Sequence, residues 1–220
     1  MRQEIKTMYN RQLLVLGILA LLVAPIVWFV TCVVYGLPFP ESISETATIA
    51  NRTAMVLPTI LGALGIFGLT YKSRHNSKGD TWCGRIMGIG FILVALQQCF
   101  SETYIEYARI GAFGLAPEVS NIVHSVGALL GFGTLLVWQF VFFTKTDPRV
   151  PMTEEKRKRN TLYRVCSAFT LIGITIFGMG ALGLVHETFA FVFWAEAAIL
   201  TFAGISCIVK SEMFNIIKDK

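Results

Sequence analysis

The sequence predicts an all-α membrane protein, with six transmembrane helices in one bundle and both termini in the cytoplasm. The chain is 54% hydrophobic, with a mean hydropathy of +0.61, which is more apolar than a soluble domain. Its apolar residues fall into six segments, each close to the roughly 20 residues that a helix needs to cross a bilayer. These segments use nearly the whole length, so we predict a single transmembrane domain over residues 1–220.

The placement of the basic residues predicts which side of the membrane each connection faces. All of the lysines and arginines except Arg52 and Arg109 lie in or beside the two termini and the second and fourth connections. Short basic connections stay on the cytoplasmic side, so we expect both termini there, in a cell membrane. The net charge of +5 then reflects contact with anionic lipid headgroups. No basic patch with interleaved aromatic residues occurs, which argues against a nucleic-acid partner.

Each predicted helix is an apolar segment that ends at polar or helix-breaking residues. The six lie at about 13–35, 53–71, 86–104, 119–143, 162–184 and 189–209. The first is too long for the apolar core of a signal peptide, and no small-residue cleavage pattern follows it. We therefore expect it to be retained as a helix that ends at Gly36, before Pro38 and Pro40.

The other five helices follow from the remaining apolar segments. Helix two leads into the polar connection 72–85, and helix three reaches full length only by continuing through 101–104 at the interface. Helix four precedes the most basic connection, 145–159, and a short turn at 185–188 separates helices five and six. Glycines recur on helices two, four and five. In lipid such small residues let neighbouring helices approach closely.

Two polar residues lie inside apolar segments, in the half of the membrane away from the cytoplasm. Glu196 lies in an apolar run early in helix six, and His124 lies early in helix four. A carboxylate at such a depth costs on the order of 3 kcal/mol unless it finds a partner. We therefore expect Glu196 to face the bundle interior, where it is either protonated or paired.

Four further polar residues map to the same side of the membrane and complete a candidate site. Glu102 ends helix three, His186 lies in the last outer turn, and Ser44 and Glu45 lie in the first outer connection. Together with His124 and Glu196 they permit a metal site, an acid–base site for a lipid headgroup, or a lipid-binding pocket. They also permit a hydrogen-bonded polar cluster that only holds the helix ends together. His124, His186 and Glu196 are the candidate ligands for zinc, although no paired-histidine motif occurs.

Three short motifs resemble the DRAM/Frag/Sfk family of six-helix membrane proteins and related bacterial membrane proteins. The segment Ile43-Ser44-Glu45-Thr46 resembles the Ile-Ser-Asp-Thr-Gly segment of the family, with Arg52 just before helix two. The segment 123–128, Val-His-Ser-Val-Gly-Ala, resembles the family's histidine early in helix four. Ala195-Glu196-Ala197 resembles its acidic residue early in the last helix. The resemblance extends over nearly the whole chain and implies a protein that works near lipids.

Two functions are therefore expected, and the sequence leaves open whether the chain is an enzyme. The first is a protein of DRAM/Frag/Sfk type that binds or organises membrane lipid through an outward-facing polar cavity. The second is a metal-dependent intramembrane amidase or esterase that acts on a lipid headgroup. This alternative is similar to the seven-helix hydrolases that include alkaline ceramidases, and it requires zinc. Membrane lipids are the expected partners, and assembly into a homo-oligomer stays open.

Overall fold

The computed structural model describes the chain over residues 9–21, 30–34, 36, 42–44, 56–70, 77–97, 112–145, 148–149, 151–184 and 191–212. Within these ranges the chain is all-helical and contains no strand. Its six main helices are α1 Tyr9–Leu21, α2 Val56–Thr70, α3 Lys78–Leu96, α4 Pro117–Phe142, α5 Glu154–Ala181 and α6 Phe191–Ser211. Helices α3, α4, α5 and α6 are long and apolar enough to cross a membrane. The sequence-based assignment of an all-α chain with transmembrane helices is confirmed to that extent.

Shorter helical segments adjoin the main helices. Val30–Val34 forms a π-helical turn, and the last five residues of α4, Trp138–Phe142, are also π-helical. Ala112–Gly114 forms a 3₁₀ turn before α4, in which Phe113 has a φ of 63°. Pro117 then occupies the start of α4, where its missing N–H leaves no helical hydrogen bond unmade.

Two helices begin earlier than the apolar pattern predicts, because polar capping residues start them. Helix α3 begins at Lys78 rather than near residue 86, and the Ser77 hydroxyl accepts from the backbone N–H of Asp80 at 3.2 Å. Helix α5 begins at Glu154 rather than near 162, and Thr153 accepts from the N–H of Lys156 at 3.1 Å. Such side-chain caps satisfy backbone donors that the first helical turn leaves unpaired. Helix α3 ends at Leu96, and residues 98–104 of its predicted extension lie outside the described residues.

Glycines let neighbouring helices pack with their backbones in contact. A Cβ atom placed on Gly65 of α2 would lie 2.8 Å from the carbonyl oxygen of Gly88 in α3. A Cβ atom on Gly90 of α3 would lie 2.7 Å from the carbonyl oxygen of Gly127 in α4. The first and last helices meet in the same way, since a Cβ atom on Gly17 would lie 2.7 Å from the carbonyl oxygen of Gly204. Helix α1 therefore packs against α6, although the two are far apart in the sequence.

The centre of the bundle is apolar and nearly filled. It contains one small cavity of about 10 Å³, close to the minimum that one water molecule needs. Five helices line this cavity, through Leu16, Ala20, Leu64, Phe67, Met87, Leu135, Trp138, Leu200, Ala203 and Cys207. The outward faces are apolar too, and Leu129, Ile122 and Ile66 are 65%, 64% and 61% exposed. An apolar exterior around a packed interior suits a chain that is surrounded by lipid.

The bundle has two chemically different ends. We call one the basic end, because Lys78, Lys158, Arg159 and Lys210 lie there, where α3 and α5 begin and α6 ends. At this end the buried Arg159 donates to Glu212 at 3.0 Å, which joins the start of α5 to the end of α6. We call the other the Glu196 end, where α4 and α6 begin and α3 ends.

Candidate functional site

Glu196 lies on the buried face of α6, close to the start of the helix. It is five residues past Phe191, or about 7.5 Å along the axis, and its side chain is only 4% exposed. The neighbouring residues Phe193 and Ala197 are buried as well. The expected inward orientation of this carboxyl group is therefore what the structure shows.

The partners of Glu196 come from the first connection, far away in the sequence. The backbone N–H of Ile43 donates to Oε2 at 2.6 Å, and the hydroxyl of Ser44 donates to Oε1 at 3.3 Å. Ile43 and Ser44 are themselves buried, at 1% and 7% exposure. We call these three residues the Glu196 latch, because they attach the first connection to the last helix.

His124 belongs to a second polar group, at the end of α3. Its Nδ1 lies 2.8 Å from the carbonyl oxygen of Gln97, which is the residue that follows the helix. A carbonyl can only accept, so Nδ1 carries the proton. Ser120, one turn earlier on α4, donates to the side-chain oxygen of Gln97 at 3.1 Å. All three side chains are at least 94% buried, and we call this group the Gln97 cap.

The Gln97 cap provides a hydrogen-bond donor for a carbonyl group at the end of α3. The last four carbonyl groups of an α-helix have no partner within it, and a buried carbonyl without one is costly. His124 supplies a donor to one such carbonyl from the neighbouring helix. The local arrangement therefore explains a buried histidine without any ligand.

The structure brings some of the predicted site residues together and separates others. Ser44 and Glu196 are in direct contact, whereas the hydrogen bond of His124 runs to α3. Glu45, Glu102 and His186 lie outside the described residues. The site that the structure shows is therefore two polar groups, the latch and the cap.

Sequence reasoning missed three contributors to these groups. The amide of Ile43 carries no signal in the sequence, because every residue except proline has one. Gln97 and Ser120 did carry a signal, since both are polar residues next to apolar segments, as His124 is. Their pairing across α3 and α4 depends on the antiparallel packing at Gly90, which a list of polar residues does not contain.

The described residues offer little to a metal ion. They contain no group of three or more His, Cys, Asp or Glu side chains that could hold one. Of the candidate ligands, both oxygens of Glu196 already accept hydrogen bonds and Nδ1 of His124 already donates one. His186, the third candidate, lies outside the described residues.

Replacing His124 with leucine should destabilise the end of α3. The substitution leaves the buried carbonyl of Gln97 without its donor, at a cost of about 1–3 kcal/mol. We expect a lower unfolding temperature in detergent and faster amide hydrogen exchange over residues 93–97. Ser125→Ala is the matched control, because Ser125 is exposed on the same helix. Equal stability and exchange in the His124→Leu and Ser125→Ala proteins would contradict a capping role.

The chain matches no protein-family model, no curated protein and no solved structure. The resemblance to DRAM/Frag/Sfk proteins therefore stays a prediction, and function has to be argued from the residues themselves.

Proposed function

We propose that this chain is an integral membrane protein that crosses the membrane six times, with both termini in the cytoplasm. In this proposal it binds or organises membrane lipid at the Glu196 end and is not an enzyme. Helices α1 and α2 are apolar but short in the described residues, and each borders further apolar sequence. Six crossings return the C-terminus to the side of the N-terminus, in agreement with the distribution of basic residues.

The observation that carries the lipid proposal is the exposure of apolar side chains on the connections at the Glu196 end. Phe113 is 81% exposed, and Leu182 and Leu184, just after α5, are 75% and 68% exposed. Val33 and Val34, in the π-helical turn after α1, are 64% exposed. Connections in water are usually polar, whereas apolar connections are stabilised at the boundary between headgroups and acyl chains.

The Glu196 latch fixes the position of the first connection at this end of the bundle. By binding Ile43 and Ser44, Glu196 holds the first connection against the bundle. Glu45 directly follows the latch in the sequence, and Glu102 and His186 belong to the other two connections of this end. We propose that these three residues face lipid headgroups while the exposed apolar residues contact the acyl chains. The resemblance to DRAM/Frag/Sfk proteins supports the same role.

The alternative, a metal-dependent hydrolase that acts on lipid headgroups, receives less support. It needs at least three protein ligands and an open position for water on one ion. In the described part of the chain no three His, Cys, Asp or Glu side chains form a group that could hold an ion, and Glu196 and His124 have different hydrogen-bond partners.

The test is the amount of lipid that the detergent-purified protein retains. We expect a double variant, Phe113→Asn with Leu184→Ser, to retain on the order of half the lipid of the wild type, because it removes two apolar contacts at the Glu196 end. Asparagine tolerates the positive φ at position 113, so the fold should be kept. Met152→Ser is the matched control, since Met152 is 48% exposed on a connection of the basic end.

Two outcomes would overturn the proposal. One is a wild-type protein that retains no lipid beyond a detergent blank, or a control that loses as much lipid as the double variant. The other is stoichiometric zinc in the same preparation that is lost in His124→Leu, which would favour the hydrolase.

A further inference from the structure

The outward face of the first turns of α5 combines basic and apolar residues in a fixed order. Arg159 and Tyr163 point into the bundle and are buried, whereas Arg157, Thr161 and Arg164 are exposed. The exposed residues follow one another at spacings of four and three, so they share one face of the helix. This face lies at the basic end, away from the Glu196 latch.

Arg164 has no partner in the described part of the chain, unlike three other cations of this end. Arg159 binds Glu212, Lys158 binds Glu154 at 2.8 Å, and Arg85 lies over the ring of Trp82 at 5.7 Å. Arg164 makes no hydrogen bond, ion pair or ring contact with any residue that the structure describes. It lies ten residues into α5, or about 15 Å from the start of the helix, where the sequence turns apolar.

The residues that follow Arg164 form an apolar strip. Ala168 is exposed, and Leu171 and Ile172 are 52% and 53% exposed. They lie four, seven and eight residues after Arg164, so they continue the face that Arg157 and Arg164 begin. A basic group followed by an apolar strip matches the order of a phosphate and an acyl chain in a phospholipid.

Four exposed residues of α5 form the surface on the basic side of this face. They are Glu154, Arg157, Lys158 and Thr161. The carboxylate of Glu154 already neutralises Lys158, and the hydroxyl of Thr161 already donates to the carbonyl of Arg157 at 3.1 Å. The guanidinium groups of Arg157 and Arg164 are therefore the donors that this face has left for an anion.

We propose that this face of α5 is a binding site for an anionic phospholipid. Arg164 donates to the phosphate with help from Arg157, and an acyl chain lies along Ala168, Leu171 and Ile172. A guanidinium group presents paired donors to phosphate, so it binds more specifically than a general positive charge. The site is distinct from the proposed lipid surface at the Glu196 end and does not depend on it.

The proposal is tested with the full chain reconstituted in phosphatidylcholine bilayers that contain phosphatidylglycerol. Spin-labelled phosphatidylglycerol and phosphatidylcholine report the relative affinity of the protein for the two lipids. We expect Arg164→Gln to lower the preference for phosphatidylglycerol about tenfold, because it removes a charge-assisted hydrogen bond to the phosphate that Arg85 does not make. Arg164→Lys should keep part of the preference, because it keeps the charge but loses the paired donors.

Arg85→Gln is the matched control, because it removes the same charge from an exposed residue of the same end. An equal loss in Arg85→Gln and Arg164→Gln would overturn the proposal, since it would indicate only general charge attraction. Absence of any preference in the wild type would also overturn it. Displacement of the labelled lipid by inorganic phosphate alone would show a phosphate site rather than a lipid site. Equal unfolding temperatures in all variants establish that the fold is intact.

Discussion

Replacing Gly88 with alanine should markedly destabilise the protein, although alanine is the better helix former. A Cβ atom at this position would lie 2.6 Å from both the carbonyl oxygen of Gly65 and the backbone nitrogen of Leu69. Backbone atoms cannot rotate away as a side chain can, so α2 and α3 must move apart. Overpacking typically costs about 1–3 kcal/mol, and the gain in helix propensity offsets about 1 kcal/mol of it. Since close packing holds helices together in lipid, we expect a clear loss in free energy of unfolding.

Gly133→Ala is the control for this prediction. Gly133 lies within α4, and apart from its own helical backbone no described atom lies within 4 Å of the Cβ atom that alanine would add. We expect equal or slightly higher stability, measured for both variants by thermal unfolding in the same detergent. If Gly88→Ala were as stable as Gly133→Ala, the close approach of α2 and α3 would be wrong.

The second large effect is expected for Glu196→Ala. The substitution leaves the buried amide of Ile43 and the buried hydroxyl of Ser44 without an acceptor. Hydrogen bonds to a carboxylate contribute about 1.5–3 kcal/mol each, so the loss should be on the order of 3 kcal/mol. Glu196→Gln should lose less, because its single side-chain oxygen still accepts from one of the two donors. Thermal unfolding measures both changes.

Hydrogen exchange at the amide of Ile43 tests the same variants at the position of the latch. The amide of Ile43 should be protected in the wild type and should exchange rapidly in Glu196→Ala. Glu154→Ala is the control, since Glu154 is a surface carboxylate in an exposed ion pair with Lys158. Exposed ion pairs contribute little, so neither stability nor exchange at Ile43 should change. Unaltered protection of Ile43 in Glu196→Ala would show that the latch does not hold the first connection.

The sequence predicted the helical class and the positions of most helices because apolar segments separated by polar ones leave few alternatives. It placed the starts of α3 and α5 too late, at the first apolar residues rather than at Ser77 and Thr153. The capping hydroxyls lie within polar stretches that the hydrophobicity pattern assigns to connections between helices. A membrane span is therefore easier to find from its sequence than the exact turn where its helix begins.

The candidate site was predictable in part. An acidic residue in an apolar segment must find a partner, so Glu196 could be recognised as inward-facing from sequence alone. The identity of that partner could not be derived, because one of the donors is the backbone amide of Ile43. His124 was grouped with Glu196 on the basis of membrane depth, yet its hydrogen bond runs to Gln97 on the neighbouring helix. Membrane depth predicts which residues share a layer of the bundle. Predicting their contacts also requires knowing which helices are adjacent.

The Glu196 latch also has a consequence for the order in which the chain is made. Ile43 and Glu196 are 153 residues apart, so the ribosome must add all of these residues before the two can meet. Until then the amide of Ile43 must use water or headgroups as acceptors. The contact between Gly17 and Gly204 has the same dependence on the last helix. A nascent chain that stops before α6 therefore lacks both contacts, and the first connection and the first helix gain these partners only when α6 has been made.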